Sequence, residues 1–229
     1  MKMAQISVFA LSGVLALGGP AFAQGQETER VDRTASIRSG GVLRIKNFSG
    51  TVTITGSQRG DVAVQAIRRA PRERLDNIKL EITETSSGVT IDANKKSDGW
   101  RDRDDNNVVD TQLDIQVPAD VALDVDVFAS DITVAGVTGR HKLKTFSGNI
   151  DVSGASGSVN AETFSGDIEL TLAQGAGGRV DFDSFSGELR ATAGMVVQST
   201  GRRRTTGVVG PGGSNDYRFK TFSGDARIR

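Results

Sequence analysis

Lys144-Thr-Phe-Ser-Gly-Asn-Ile-Asp-Val152 is a phrase this chain keeps returning to. It recurs as Glu162-Thr-Phe-Ser-Gly-Asp-Ile-Glu-Leu170, Asp183-Ser-Phe-Ser-Gly-Glu-Leu-Arg-Ala191 and Lys220-Thr-Phe-Ser-Gly-Asp-Ala-Arg-Ile228. An earlier copy is Asn47-Phe-Ser-Gly-Thr-Val-Thr-Ile54, and a worn one is Val127-Phe-Ala-Ser-Asp-Ile-Thr-Val134. From Phe128 through Phe146, Phe164, Phe185 and Phe222 the steps are 18, 18, 21 and 37 residues. The last step is close to two periods, as if one copy had lost its motif. A repeat of this length marks a stacked architecture in which each supersecondary unit leans on the next.

Each copy holds two short alternating runs that meet at Ser-Gly. Leu143 and Thr145 share a phase before the corner, and Ile150 and Val152 share one after it. Leu43 and Ile45 followed by Val52 and Ile54 do the same, as do Val159, Ala161 and Thr163 followed by Ile168, Leu170 and Leu172. Period-two alternation rich in β-branched residues is the half-buried strand pattern. Glycine at the corner supplies a backbone turn that a Cβ would resist. Two strands and two bends fill 18–21 residues, so the expected fold is all-β, a β-solenoid (parallel β-helix-like) with neighbouring coils about 4.8 Å apart. An antiparallel sandwich would also alternate, but it gives no reason for five near-identical corners. The phenylalanines are expected to stack from coil to coil and cover the corner, each burying about 2 kcal/mol of apolar surface.

Residues 1–23 read as a secretory signal peptide: Lys2, an apolar run from Ile6 to Leu17, and Ala21-Phe-Ala23 as a small-x-small cleavage site. Export is therefore expected, to periplasm, cell surface or exterior. The chain has no cysteine, which removes disulfides and thiolate metal sites. Without Lys2, 27 basic residues face 28 acidic ones, a balance that argues against nucleic acid or an anionic membrane as main partner. Residues 24–39 lack a sustained period and are expected to form a flexible arm ahead of a domain spanning 40–229. Ile67 to Asp76 suggests a helical turn, and Ser86-Ser-Gly88 a hairpin. Residues 95–107, with Trp100, and residues 194–214, with Arg202-Arg-Arg204, read as exposed loops.

Gln116-Val-Pro-Ala-Asp-Val-Ala-Leu-Asp-Val125, followed by the Phe-Ser-Gly-Asp-Ile coils, resembles the bacterial putative-adhesin family of β-strand repeat proteins, a domain of unknown function. The resemblance covers roughly Gly40 to Arg229. Its members often carry Gly-Ser-Gly-Asp or Val-Ser-Gly-Asp corners, where this chain has Phe-Ser-Gly. The resemblance implies a cell-envelope β-solenoid and brings no catalytic residues with it.

Residues that could carry chemistry have plainer readings. Thr51, Asp131, Asn149, Asp167, Glu188 and Asp225 follow the corners, and a column of carboxylates can hold a hard cation. Such side chains more often cap backbone amides. Arg202-Arg-Arg204 could grip an anion, but the run reads first as exposed. His141 is the only histidine, with no nucleophile motif to serve. Asp167 and Glu188 could be imagined as acid and base, yet neighbouring acids follow from repetition alone. Outward positions mix signs, with Lys144 above Glu162 and Asp183, and Lys142 above Asn160 and Asp181, as a solvated face would. No catalytic, cofactor-binding or metal residue is assigned, and no cofactor is expected.

The resulting expectation is a non-catalytic envelope protein, adhesin-like or a scaffold, whose long face binds envelope glycan or another surface protein. The alternatives are a polysaccharide-acting enzyme on a parallel β-helix, hard to build with Trp100 and Tyr217 so far apart, and a self-assembling filament subunit. Tyr217 to Arg229 is read as a terminal coil with an open edge. Arg218, Lys220, Arg227 and Arg229 would block self-pairing there, so a monomer is expected.

Overall fold

The computed structural model describes residues 25–100, 107–192 and 194–229. The signal-peptide stretch and residues 101–106 of the expected loop lie outside them. Among the described residues, seventeen strands and one short helix follow in chain order. They are β1 (Glu27–Ser36), β2 (Val42–Ser57), β3 (Asp61–Ala70), α1 (Arg72–Asn77), β4 (Ile78–Thr85), β5 (Gly88–Lys96) and β6 (Asp110–Pro118). Next come β7 (Ala122–Ala135), β8 (His141–Ser147), β9 (Ile150–Ala155), β10 (Val159–Ser165), β11 (Ile168–Leu172), β12 (Gly178–Ser186) and β13 (Leu189–Ala191). The chain continues through β14 (Met195–Thr200), β15 (Arg204–Val209), β16 (Asn215–Ser223) and β17 (Ala226–Ile228).

The expected β-solenoid is present. Each coil has a first strand, the Phe-Ser-Gly corner and a second strand, and like strands pair in parallel without a register shift at the corner. Inward residues form unbroken columns. On the first wall Ile45, Val125, Leu143, Ala161, Phe219 and Phe182 lie one above the next; on the second, Val52, Ile132, Ile150, Ile168 and Ala226 do. All are buried in one hydrophobic core. A side chain such as Leu143, taken fully from water, contributes about 1.5–3 kcal/mol.

The corner glycines are needed for more than the turn. Gly148 and Gly166 adopt φ of 153° and 150°. A Cβ on Gly148 would come 2.2 Å from the Ser130 carbonyl oxygen, and one on Gly166 2.1 Å from that of Gly148. Coils approach through the backbone at this column, which is glycine at Gly50, Gly148, Gly166 and Gly224 and serine at Ser130 of the worn copy.

The coils do not stack in chain order. β2 lies between β5 and β6 on one side and β7 on the other. The C-terminal coil is likewise internal: β16 pairs with both β10 and β12, and β17 with both β11 and β13. This overturns the expected open edge at Tyr217–Arg229, and with it the argument that a basic edge keeps the chain monomeric. It also explains the 37-residue step. No copy has been lost. The chain leaves the stack after β13, makes the antiparallel hairpin β14–β15 against β12, and returns to fill the slot before β12.

Three further expectations are corrected. The expected loose arm over 24–39 is, in its described part, mostly strand: β1 pairs antiparallel with β3 along ten residues, Glu27 opposite Ala70 through Ser36 opposite Asp61. As a polar edge strand it needs only one apolar phase, seen in half-buried Val31 and buried Ala35. Residues 194–214 are mostly the β14–β15 hairpin rather than a loop. Trp100 packs on Ala70, Leu75, Ile78 and Val109 in a small satellite core instead of standing in an exposed loop. The helical turn is there, but strand β3 runs on to Ala70 before α1 begins.

Candidate functional site: an aromatic ladder beside a charge rail

The corner phenylalanines do stack, but they do not bury. In stack order Phe48, Phe128, Phe146, Phe164, Phe222 and Phe185 form a continuous ladder with centroid spacings of 4.7–4.9 Å. Five rings lie within 6° of their neighbours, and Phe48 is tilted 16° from Phe128. Each remains 39–54% exposed, because strand alternation puts the residue after buried Thr145 or Thr163 on the outer face. Ring faces are used up by neighbouring rings, so the ladder offers solvent a row of ring edges. At one end even the outer face is covered, by the Arg203 guanidinium 4.5 Å from the Phe185 centroid.

Two residues before each phenylalanine, on the same outer face, stands a charged residue. In stack order these are Lys46, Asp126, Lys144, Glu162, Lys220 and Asp183, one beside each ring. The signs alternate without exception. Chain order hid this: reading Lys144, Glu162 and Asp183 as successive neighbours puts two acids together, whereas Lys220 stands between them. Among the described residues, none of the six makes a side-chain hydrogen bond or an ion pair within 4 Å. Ladder and rail together flank a groove of about 560 Å³. Nothing in a single copy of the repeat announces this rail; only the register between coils does.

The post-corner residues form the expected column, and they cap amides. Asp131 Oδ1 accepts from the Asn149 N–H at 2.7 Å, Asn149 Oδ1 from Asp167, Asp167 Oδ1 from Asp225, and Asp225 Oδ1 from Glu188, each at 2.9 Å. Each side chain thus satisfies the backbone of the next coil. Thr51 occupies the same level on β2, opposite Asp131. Asp167 and Glu188 are not adjacent, since Asp225 lies between them, and Arg227 and Arg190 approach this column at 3.7 and 3.1 Å. Among the described residues no group of three or more His, Asp or Glu side chains is arranged to hold a metal ion.

The remaining candidates are dispersed. Arg203 caps Phe185, and Arg204 forms a two-armed pair with Asp181 at 2.8 and 2.5 Å. His141 is 1% exposed, between Leu123 and Val159 in a core column. Burial pushes its pKa down to about 4, opposed in part by the Val137 backbone. Tyr217 is wholly buried, its hydroxyl accepting from Asn215 Nδ2 at 3.3 Å, and burial raises its pKa. Arg68 stands unmarked among the arginines of residues 68–74, yet it is buried on β3 and held by Glu29 and the Ile78 carbonyl.

The profile of the Toastrack DUF4097 family matches residues 114–229, half of the chain and the part that carries most of the regular coils. This protein belongs to the Toastrack DUF4097 family. A putative cell adhesion protein from Clostridium sporogenes has the same fold, with a TM-score of 0.63 at 12% identity over 87% of this chain and 99% of its own. A putative adhesin from Bacteroides fragilis aligns over 88% of this chain and 97% of its own at 12% identity, but its TM-score of 0.31 is too low to bear on the fold. No curated protein matches the sequence. The Toastrack core here is extended before residue 114 by the β1–β3 and β4–β5 pairs and by the intercalated β2.

Proposed function

We propose that this Toastrack protein is a non-catalytic contact module of the cell envelope, adhesin-like in role, that binds protein surfaces through the phenylalanine ladder and its charge rail. The observation carrying this reading is the ladder itself. Six half-exposed aromatic side chains in one contiguous row are more apolar surface than solubility calls for, and such patches mark interaction sites. The neighbour named as a putative cell adhesion protein supports the role, and the amino-terminal sequence supports export. A protein surface fits better than a glycan. Sugars recognised by aromatics lie on ring faces, and here all but the outer face of Phe48 are taken by adjacent rings and by Arg203.

The test is co-sedimentation of purified protein with isolated envelope fragments, untreated or digested with protease. Wild type should pellet with untreated fragments and lose most of that binding after digestion. Phe146→Ser/Phe164→Ser should not pellet with either. Undiminished binding by that variant would remove the ladder from the contact, and binding that survives digestion would return glycan to first place.

A further inference from the structure

The ladder and rail share a symmetry that points to one partner. The ladder has six levels; the rail has those six plus Asp92 beyond Lys46 and Arg204 beyond Asp183, alternation intact, and the midpoint of both falls between β8 and β10. An alternating row with an even number of members becomes its own complement when reversed. Turned about a two-fold axis lying along the strands at that midpoint, Lys144 faces Glu162, Asp126 faces Lys220 and Lys46 faces Asp183. The rings meet in the same way, Phe146 with Phe164, Phe128 with Phe222 and Phe48 with Phe185. We propose that this face is the interface of a two-fold symmetric dimer of the chain, with the two stacks running antiparallel.

The next outward column agrees independently. Its levels are Arg44, Asp124, Lys142, Asn160, Arg218 and Asp181. The same rotation sets Arg44 opposite Asp181, Asp124 opposite Arg218 and Lys142 opposite Asn160, with no like charges facing. The nearest alternatives fail on charge: sliding one copy by a single coil puts like on like along the whole rail, and in-register parallel stacks set each rail residue against its own twin. A slide of two coils, or a parallel pairing offset by one, restores opposite signs only over fewer levels, so charge and area together favour the fully overlapped antiparallel register. The unpaired state of the six rail side chains within one chain leaves them available for this contact.

Six levels spaced about 4.8 Å and three outward columns about 7 Å apart cover on the order of 600 Å² per copy, below the usual ~800 Å². An interface of this size belongs to the small, transient class, and salt loosens it. This inference rests on the ladder being a contact surface and names the partner.

Sedimentation equilibrium tests it with Asp126→Lys and Lys220→Asp. Each variant alone places two like-charge contacts across the axis and should weaken self-association at least about tenfold. Mixed together, one supplies two lysines and the other two aspartates at those contacts, so the pair should form a heterodimer of at least wild-type strength. The two positions are three coils apart within a chain, so recovery on mixing reports a contact between copies. Melting curves confirm that each variant is folded. A wild type that stays monomeric to millimolar concentration overturns the proposal, as does a dimer indifferent to both substitutions or a mixture that fails to associate. If wild type is monomeric while Phe146→Ser/Phe164→Ser still abolishes envelope binding, only the self-pairing falls; if neither association nor envelope binding depends on the ladder, both readings fall.

Discussion

The coils that follow one another in sequence, from β7 to β11, differ in kind from the two that are slotted in, β2 and β16–β17. Apart from His141, the consecutive coils carry aliphatic or small side chains inside, such as Val159 and Ala161 on β10, and slotted β2 does the same with Leu43 and Ile45. The slotted C-terminal coil carries Tyr217 and Phe219 at the same levels, both buried, with Phe219 directly over Ala161. Outside, each slotted coil brings a cation between two acids: Lys46 between Asp92 and Asp126, and Lys220 between Glu162 and Asp183. Without these insertions the acids would sit about 4.8 Å apart along the wall. The difference teaches that position in the stack is chosen by volume and charge matching, not by order of synthesis.

The comparison breaks hardest at Phe219. Truncating it to alanine beside Ala161 leaves a void in the core, and Phe219→Ala should cost about 3–5 kcal/mol in denaturant unfolding. Phe146→Ala, on the half-exposed ladder, should cost about 2 kcal/mol, from partial burial and two stacking contacts. Equal losses would mean that the slotted coil is no more tightly packed than the ladder.

His141 sharpens the comparison from the consecutive side. Its folded pKa of about 4 lies below the ordinary 6.5, so the unfolded chain binds its proton more readily. The contribution of neutral His141 is therefore complete above pH 6.5 and is lost as pH falls from 6.5 toward 4. Integrated over that window it amounts to about 3 kcal/mol. Chemical denaturation across pH 4–7 should show this step in wild type and lose it in His141→Val, which matches Val159 on the next coil. A step unchanged by that substitution would assign it to carboxylates instead.

The smallest effect is electrostatic. Lys220→Glu sets three acids in a row on the rail and should cost about 1 kcal/mol, easing with salt. Lys144→Ala removes a cation without creating a like-charge neighbour and should cost under about 0.5 kcal/mol. Indistinguishable melting temperatures for the two would show that alternation does nothing for a single chain.

The corner phrase made the coil legible: alternating runs gave the two walls, and Ser-Gly gave the turn. Stack order was not legible, because every coil presents the same pattern and any could pair with any other. What selects the neighbour is volume at Phe219 and Ala161 and sign at Lys220, and those terms act only between coils distant in sequence. The phenylalanines were legible as a ladder but not as an exposed one, since a residue at a bend can follow the phase of either flanking strand. β1 was missed for a related reason: an edge strand buries so little that its polar sequence reads as loop.

A stack that takes a later segment into an interior level cannot be completed like a zipper. Repeat arrays ordinarily gain stability one neighbour at a time, and terminal units can fray or be lost at small cost. Here the level between β10 and β12 stays vacant until Asn215–Ile228 arrive, which follow β12–β15 in the chain. Until then the β12–β15 region is tethered to the rest only through its connecting chain, and its closure must await a contact of long sequence separation, a slow kind of step. The linear repeat is thereby converted into a cooperative unit that locks from the inside.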